Sequence, residues 1–229
     1  MEFEAEIRDI IVETSDTKTL RVDRPAAFGF VPGQFVNVTL MTREDGRVRR
    51  AYSIASSPLE PYIDLTVRQM PGGLVSRILT EDVGIGETLN LRGPYGRFVF
   101  EDKTLVWIAG GSGIVPFRSM WRYIEETRSS TDFTLLYATK TFDQIIYREE
   151  LAAMLHRGRR ILHTFTQEAP AGWNGFLGRV DERILTALIS EFREPLFYVC
   201  GPPAMCDDVG RHLVQLGAPR LNIRMEKYD

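Results

Sequence analysis

Between Thr104 and Thr127 the chain reads TLVWIA, then GGSGIVPF, then RSMWRYIEET. The first block is a short apolar run rich in branched and aromatic residues, the pattern of a strand buried on both faces. The last block spaces its apolar residues as a helix does. The middle block is a glycine turn, which lets backbone come close to a ligand and leaves the first amides of the following helix facing outward, where a phosphate can bind. Gly111 and Gly113 fit a dinucleotide fingerprint, whereas Pro116 stands where its third glycine belongs; a tight strand-to-helix turn with no ligand is the competing reading. The chain changes character at this point, from alternating strands before it to strands and helices in turn after it. That change divides it into two predicted domains, 1–101 and 102–229.

A chain of 229 residues has room for two small domains, and 44% hydrophobic content is ordinary for a folded protein. No apolar stretch matches a signal peptide or a membrane span, so a cytoplasmic protein without membrane insertion is expected. The two cysteines, Cys200 and Cys206, make neither a metal cluster nor a secreted disulfide framework and are expected as reduced thiols. With a net charge of −3 the chain lacks the broad basic footprint of a nucleic-acid binder. The local exception is the segment from Arg43 to Arg50, which carries four arginines.

In the first half, Phe3 to Val12, Thr19 to Asp23, Phe35 to Leu40, Ala51 to Ile54, Ile63 to Gln69, Thr88 to Arg92 and Arg97 to Phe100 read as strands. Turn formers such as Pro25, Gly29, Pro32 and Gly33 separate them, and Leu74 to Thr80 alone reads as a helix. About six strands at such spacing predict a small closed or nearly closed antiparallel barrel. Two places look chemical. Arg50-Ala51-Tyr52-Ser53 puts a guanidinium, a ring and a hydroxyl on one extended segment, with Arg50 and Tyr52 to one side and Ser53 to the other; an ordinary exposed strand face reads the same way. Pro71-Gly72-Gly73-Leu74-Val75-Ser76 leads a glycine pair into a helix, whose amides and Ser76 hydroxyl suit a phosphate or merely begin a helix.

In the second half, Phe133 to Ala138, Arg160 to Thr166, Leu196 to Cys200 and Leu221 to Glu226 read as strands. Tyr147 to Leu155, Asp181 to Ile189 and Ala204 to Leu216 read as helices, and Gln167 to Gly178 as a polar loop. Such alternation predicts a Rossmann-like parallel sheet with helices on both faces. Ligands of these sheets sit beyond the carboxyl ends of the strands, where the Gly110 loop, Thr139-Lys140 and Cys200-Gly201 fall. Cys200 followed by Gly201, Pro202 and Pro203 makes a stiff turn at that end, although a cysteine there is commonly a small buried apolar residue. Cys206 lies inside a predicted helix and carries no assigned role.

From about Phe3 to Tyr228 the chain resembles the ferredoxin–NADP reductase family of flavoproteins, through four motifs in order: RAYS at Arg50, PGGLVS at Pro71, GGSGIVP at Gly110 and CGPPAM at Cys200. Within that family it is similar to the reductase components of bacterial oxygenases, but this chain has no four-cysteine iron–sulfur core. The resemblance implies an N-terminal Greek-key barrel that binds FAD rather than FMN and a C-terminal sheet that binds NAD(P)H. Hydride would pass from nicotinamide to flavin, and electrons onward to a separate ferredoxin or oxygenase component. It implies that Arg50 contacts the flavin phosphate, Tyr52 stacks on the isoalloxazine, Ser53 hydrogen-bonds near the flavin N5, and Gly73, Leu74, Val75 and Ser76 cradle the pyrophosphate. Gly111, Ser112 and Gly113 would approach the nicotinamide nucleotide and Cys200 would sit beside its ring. Ala51, Val67, Arg68, Gly72, Thr139, Lys140, Gly201, Pro202 and Met205 complete the implied cofactor contacts. Ser53, Cys200, Glu226 and Tyr228 are the residues expected around the reacting atoms, and Asp229 follows Tyr228 where the plant-type members end on the tyrosine. No carboxylate stands after Ala138 at the end of the second strand of the nucleotide domain, and Asn174 follows Trp173, so NADPH is expected to be accepted with Lys140 near its 2′-phosphate. Arg43, Arg47, Arg49 and Arg50 suit a rim for an acidic electron carrier, or a solvated basic loop. A flavin reductase that releases its flavin, and a nucleotide-sensing or electron-transfer subunit without turnover, remain the alternatives.

Overall fold

The computed structural model describes residues 1–42, 46–156 and 159–228. The chain divides into two compact units, one of Met1–Phe100 with Val115–Ser129 and one of Glu101–Ile114 with Ser130–Asp229. The first unit contains strands β1 (Glu2–Thr14), β2 (Thr17–Asp23), β3 (Phe35–Thr42), β4 (Gly46–Ser53), β5 (Tyr62–Arg68) and β6 (Thr88–Tyr95). They form one antiparallel sheet in the order β4-β3-β6-β1-β2-β5. A bridge from Ile54 to Leu65 brings the two outer strands together at one end, so the sheet curls into a nearly closed Greek-key barrel. Strand alternation sends Ala5, Ile7, Leu20, Val22, Val36, Val38, Ile63, Leu65, Val67, Leu89 and Leu91 into one core.

Helix α1 (Leu74–Arg77) continues as a wider turn over Ile78–Asp82, close to the helix expected there. Helix α2 (Val115–Thr127) counts with the barrel unit, although it follows the glycine turn of the other. Its first turn holds Pro116, a position where a missing amide costs no helical bond. Arg118 reaches Asp64 at 3.0 Å, and Asp64 is also gripped by Arg21 at 2.8 and 2.9 Å. Ser119 donates to the Ser56 carbonyl at 2.6 Å, and Arg122 pairs with Glu60. These contacts let β5 carry a fully buried carboxylate on its outward face, because both oxygens are satisfied.

One expected strand is absent. Arg97 to Phe100 forms no ladder. Its alternation has another cause: Phe98 packs edge-on against Phe117 and Phe100 against Tyr123, each with centroids 5.8 Å apart, so the two rings serve α2 rather than a sheet. The Phe98 carbonyl also lies so close to Gly33 that a Cβ there would stand 2.1 Å away.

The second unit is a six-stranded parallel sheet of β7 (Leu105–Gly110), β8 (Phe133–Thr139), β9 (Arg160–Phe165), β10 (Phe176–Leu177), β11 (Leu196–Gly201) and β12 (Ile223–Lys227), in the order β10-β9-β8-β7-β11-β12. Helices α3 (Arg148–His156), α4 (Glu182–Leu188) and α5 (Pro203–Gln215) connect them. Asp181 caps α4 by accepting the Ile184 amide at 2.9 Å. Val106, Ile108, Leu136, Ala138, Phe197 and Val199 pack on α4 and α5 through Ile184, Leu185, Val209 and Leu213. The stretch read as a polar loop contains β10, too short to show a period, which pairs Phe176 with Thr164 and Leu177 with Phe165. From β7 the chain winds outward through β8, β9 and β10, then returns to add β11 and β12 on the other side. The carboxyl ends of β7 and β11 therefore flank the topological switch point, where open α/β sheets open a crevice.

Among the described residues no helix is long and apolar enough to cross a membrane, and no group of three or more His, Cys, Asp or Glu is arranged to hold a metal.

Candidate functional site

In the barrel unit the RAYS segment lies on β4. Register sets Arg50 opposite Val38 and Tyr52 opposite Val36, so both side chains lie on the core-facing side of an outer strand that β5 leaves largely uncovered. Tyr52 packs half-buried against the barrel core, and burial pushes its phenol up to about 12 against a smaller opposing pull from Arg50. It is a neutral ring at physiological pH. Arg50 is exposed, and its Nη1 donates to the Arg49 carbonyl at 2.7 Å. Ala51 is exposed and Ser53, half-buried, pairs with Phe35 at the end of the strand. Arg47 and Arg49 point to the opposite face, where Arg47 pairs with Glu2 at 3.0 Å. The expected basic rim is thus split by strand alternation, and Arg43 lies outside the described residues.

On β5, Val67 is in the core, which leaves only its backbone for a ligand, while Arg68 Nε donates to Asp16 at 2.9 Å. The turn that follows is locked from within. Gly73 N donates to the Met70 carbonyl at 2.9 Å, Met70 N donates to Ser76 Oγ at 3.0 Å, and Ser76 Oγ donates to the Gly73 carbonyl at 3.1 Å. The Ser76 hydroxyl therefore spends its one proton on the turn rather than presenting it outward. What remains for an anion is the set of amides at the start of α1, at Leu74, Val75 and Ser76, which have no partner within a helix by geometry. Gly72, at φ +73, has nothing within 4 Å of where a Cβ would stand, so the approach to those amides is open.

In the nucleotide unit the glycines of the switch point are explained by contact. A Cβ on Gly113 would stand 2.1 Å from the Cys200 carbonyl oxygen, and one on Gly110 would stand 2.4 Å from Met205 Sδ. Gly111 takes φ +54 and its carbonyl accepts the Tyr137 hydroxyl at 3.0 Å. The glycine turn, the end of β11 and the first turn of α5 are thereby pressed together, with Gly201 at φ +159 and Pro202 opening that helix. Cys200 is fully buried, and burial, with the charge of Glu226 beside it, pushes its thiol well above the ordinary value. It is not a thiolate. Cys206 bonds the Gly201 carbonyl at 3.4 Å and serves the core.

Tyr228 packs on this turn. Its hydroxyl donates to the Gly110 carbonyl at 2.5 Å, its amide reaches the Gly201 carbonyl at 3.4 Å, and its phenol is pushed far up by burial, with the Ser112 hydroxyl as a smaller opposing influence. The ring lies against the glycine turn and Cys200 of its own unit, and Asp229 lies outside the described residues. At the end of β8 Thr139 is buried and donates to the Thr141 carbonyl at 2.9 Å, while Lys140 is exposed with no ion-pair partner among the described residues. The sequence places the Gly110 loop at the ligand end of the sheet but assigns Gly110 itself no contact. The doubled glycine was its signal, since the first supplies the carbonyl that holds Tyr228 and the second supplies the turn.

A family model described as an oxidoreductase FAD-binding domain matches residues 4–100, and one described as an oxidoreductase NAD-binding domain matches residues 107–211. The chain belongs to the ferredoxin–NADP reductase family. Ferredoxin–NADP reductase B of Sorangium cellulosum is 32% identical over an alignment of 235 positions that covers 97% of this chain and 92% of that one. The reductase subunit of glycine betaine monooxygenase from Pseudomonas aeruginosa is 35% identical over an alignment of 216 positions that covers 90% of this chain but 58% of that protein's length. The flavohem-like FAD/NAD-binding domain of a Vibrio cholerae nitric oxide dioxygenase superposes with a TM-score of 0.89 at 23% identity, covering 98% of each chain, a likeness of fold. Residues 4–100 are an FAD-binding domain and residues 107–211, α2 included, an NAD-binding domain. Their residues fit those groups: two guanidiniums and open helix-start amides suit a diphosphate, a half-buried neutral ring suits a flavin, and a turn in which glycines allow close backbone approach suits a nucleotide.

Proposed function

We propose that this chain is an NAD(P)H oxidoreductase that takes a hydride from NADPH or NADH onto FAD and passes the electrons to a separate protein acceptor, a ferredoxin or an oxygenase component. The observation that carries the reading is the chemical silence of the two candidate sites. Tyr52, Cys200 and Tyr228 are all held protonated by burial, so none of them is poised near neutrality as a general acid or base. Such residues align rather than react. Bound FAD supplies the electron-accepting chemistry, and the protein supplies binding and orientation.

In this reading Arg50, Arg68 and the amides from Leu74 to Ser76 hold the flavin phosphates, Gly72 and Gly73 give access to them, and Tyr52 with Ser53 borders the ring. Gly111, Ser112, Gly113 and Gly201 receive the nicotinamide nucleotide, with Pro202 and Met205 stiffening the turn and Thr139-Lys140 at the adenosine end. Cys200 and Glu226 border the crevice that Tyr228 vacates. Lys140 is exposed with no ion-pair partner among the described residues, so it favours a 2′-phosphate by roughly 1–3 kcal/mol, about tenfold or somewhat more in affinity. A cytoplasmic setting suits two buried, unoxidised thiols.

The test is direct. Mass spectrometry of the flavin carried by the purified protein should find FAD, and anaerobic mixing with NADPH should bleach it. FMN alone, or no flavin after reconstitution, overturns the assignment. Loss of the yellow colour on gel filtration would favour a flavin reductase that releases its product, and failure to bleach would favour a sensing subunit. Lys140→Ala should remove the preference for NADPH in kcat/KM while leaving NADH use intact.

A further inference from the structure

The hairpin between β1 and β2 carries more polar contacts than a chain reversal requires. Asp16 Oδ1 accepts the Thr14 and Thr17 hydroxyls at 2.8 and 2.9 Å, and Oδ2 accepts Arg68 Nε at 2.9 Å. The Asp16 carbonyl accepts the Gln69 amide at 2.8 Å. Four bonds converge on one residue, and two of them reach across to the end of β5. The chain then runs directly into the Pro71 to Ser76 turn, so Asp16 braces both the guanidinium and the approach to the open helix-start amides. Gln69 adds a second brace, since its Nε2 donates to Glu81 at 2.8 Å on the far side of the turn.

The state of the carboxyl and the pose of the arginine agree. Burial pushes the Asp16 carboxyl up, but the threonine hydroxyls and the Arg68 guanidinium outweigh it and hold it below the ordinary value, so it is a carboxylate through the neutral range. Arg68 has 18% of its side chain exposed. Its Nε is spent on Asp16, and its Nη1 and Nη2 have no partner among the described residues. A guanidinium so enclosed, with one edge pinned and the other unpaired, is built to accept a second anion in a fixed orientation.

We propose that Asp16 is a positioning residue that turns the unpaired edge of Arg68 toward the diphosphate of FAD, and so sets the preference for the dinucleotide over the mononucleotide. The proposal rests on the flavin-binding reading above and adds a residue that touches no cofactor itself. A hairpin staple alone would give Asp16 no influence over which flavin binds.

The experiment titrates the apoprotein with FAD, FMN and riboflavin, reading the quenching of flavin fluorescence, in the parent, Asp16→Ala, Arg68→Met and the double variant. Asp16→Ala should weaken FAD by about tenfold, the worth of one misplaced charge-assisted contact of about 1.5 kcal/mol, and leave riboflavin within about twofold. In the Arg68→Met background the same change should cost FAD less than about twofold, because Asp16 acts through that guanidinium. Equal losses for all three flavins, or an undiminished loss without Arg68, would overturn the proposal. Should Asp16→Ala fail to fold, Asp16→Asn retains an acceptor for the threonines, and an unchanged ratio of FAD to FMN affinity in that variant overturns it as well. A parent protein that binds none of the three flavins instead overturns the reading on which the proposal rests.

Discussion

Gly113→Ala separates a glycine kept for close packing from one kept for a ligand. The added methyl carbon would stand 2.1 Å from the Cys200 carbonyl oxygen, 2.5 Å from its carbonyl carbon and 2.9 Å from the Gly201 amide nitrogen. Non-bonded heavy atoms settle at roughly 3.5–4 Å, so one side must yield by about an ångström or more. The strand is poorly placed to do so. Cys200 is registered with Ala109 on one side and Glu226 on the other, and Gly201 with Lys227, inside a sheet whose faces are buried. The glycine turn therefore moves. Overpacking of this kind costs about 1–3 kcal/mol, and a chain of this size loses about 2–4 °C of Tm per kcal/mol, so the expected fall is roughly 2–12 °C. If the turn receives the coenzyme as proposed, a displacement of about an ångström there should also slow hydride transfer by about a hundredfold. Urea titration and anaerobic stopped-flow with NADPH measure the two effects. Gly29→Ala is the control, because nothing lies within 4 Å of its Cβ position and its φ is unremarkable, and it should stay within about 0.5 kcal/mol of the parent. Were Gly113→Ala to unfold at the same urea concentration as Gly29→Ala, the close contact with Cys200 would carry no weight.

Asp64→Ala removes a fully buried carboxylate that Arg118 and Arg21 share and should cost about 3–5 kcal/mol in urea unfolding. The double variant Asp64→Leu with Arg118→Met should recover most of it; a single variant less than 1 kcal/mol below the parent would refute the estimate. His163 is neutral and half-buried, its imidazole pushed down to about 4 by loss of solvent from an ordinary 6.5. Between those values the unfolded chain binds a proton that the folded one does not, so stability falls as pH drops through that window, by at most roughly 3 kcal/mol. His163→Leu should flatten this acid limb, which pH-dependent urea melts would show, and an unchanged slope would mean that other groups set it. On the proposed function the incoming nucleotide displaces the Tyr228 ring along with its bond to Gly110, so in Tyr228→Ser NADPH should bind about two- to tenfold more tightly by equilibrium titration; equal or weaker binding would show that the ring does not obstruct the nucleotide.

The fold was legible wherever a side-chain period had a single cause. Leu105 to Ala109 and Leu196 to Cys200 are buried at every position and read as strands of a parallel sheet because nothing but a two-sided core tolerates such runs. Arg97 to Phe100 shows how the same signal misleads. Phe98 and Phe100 alternate in sequence as the apolar face of a strand would, yet their partners are the rings of Phe117 and Tyr123 on a helix. Period two records which side chains are buried and says nothing of what buries them. Phe176-Leu177 fails from the other direction, since two residues hold no period at all.

The candidate site was legible as motifs and much less so as contacts. Glycine and proline announce themselves, because few backbones need them, and the turns at Gly72, Gly111 and Gly201 all take left-handed φ values. Ser76 was visible as a hydroxyl beside a phosphate-like turn, but its choice of partner, Gly73 rather than a ligand, depends on a hydrogen-bond geometry that a sequence does not specify. Asp16 was invisible for a more general reason. Aspartate in a hairpin turn is expected from its local bonding alone, and the contact that gives it a further consequence lies 52 residues away at Arg68. Asp64 repeats the pattern, with partners 43 and 54 residues distant at Arg21 and Arg118. Charged residues are the commonest on any surface, so a sequence offers too many pairings of opposite sign to single out the few that are enclosed. Burial makes the distinction, and burial of an ion pair is a property of the assembled barrel and α2 together. The residues that orient the binding groups are therefore the ones a motif search passes over, and they are where substitutions would change cofactor preference without touching a motif.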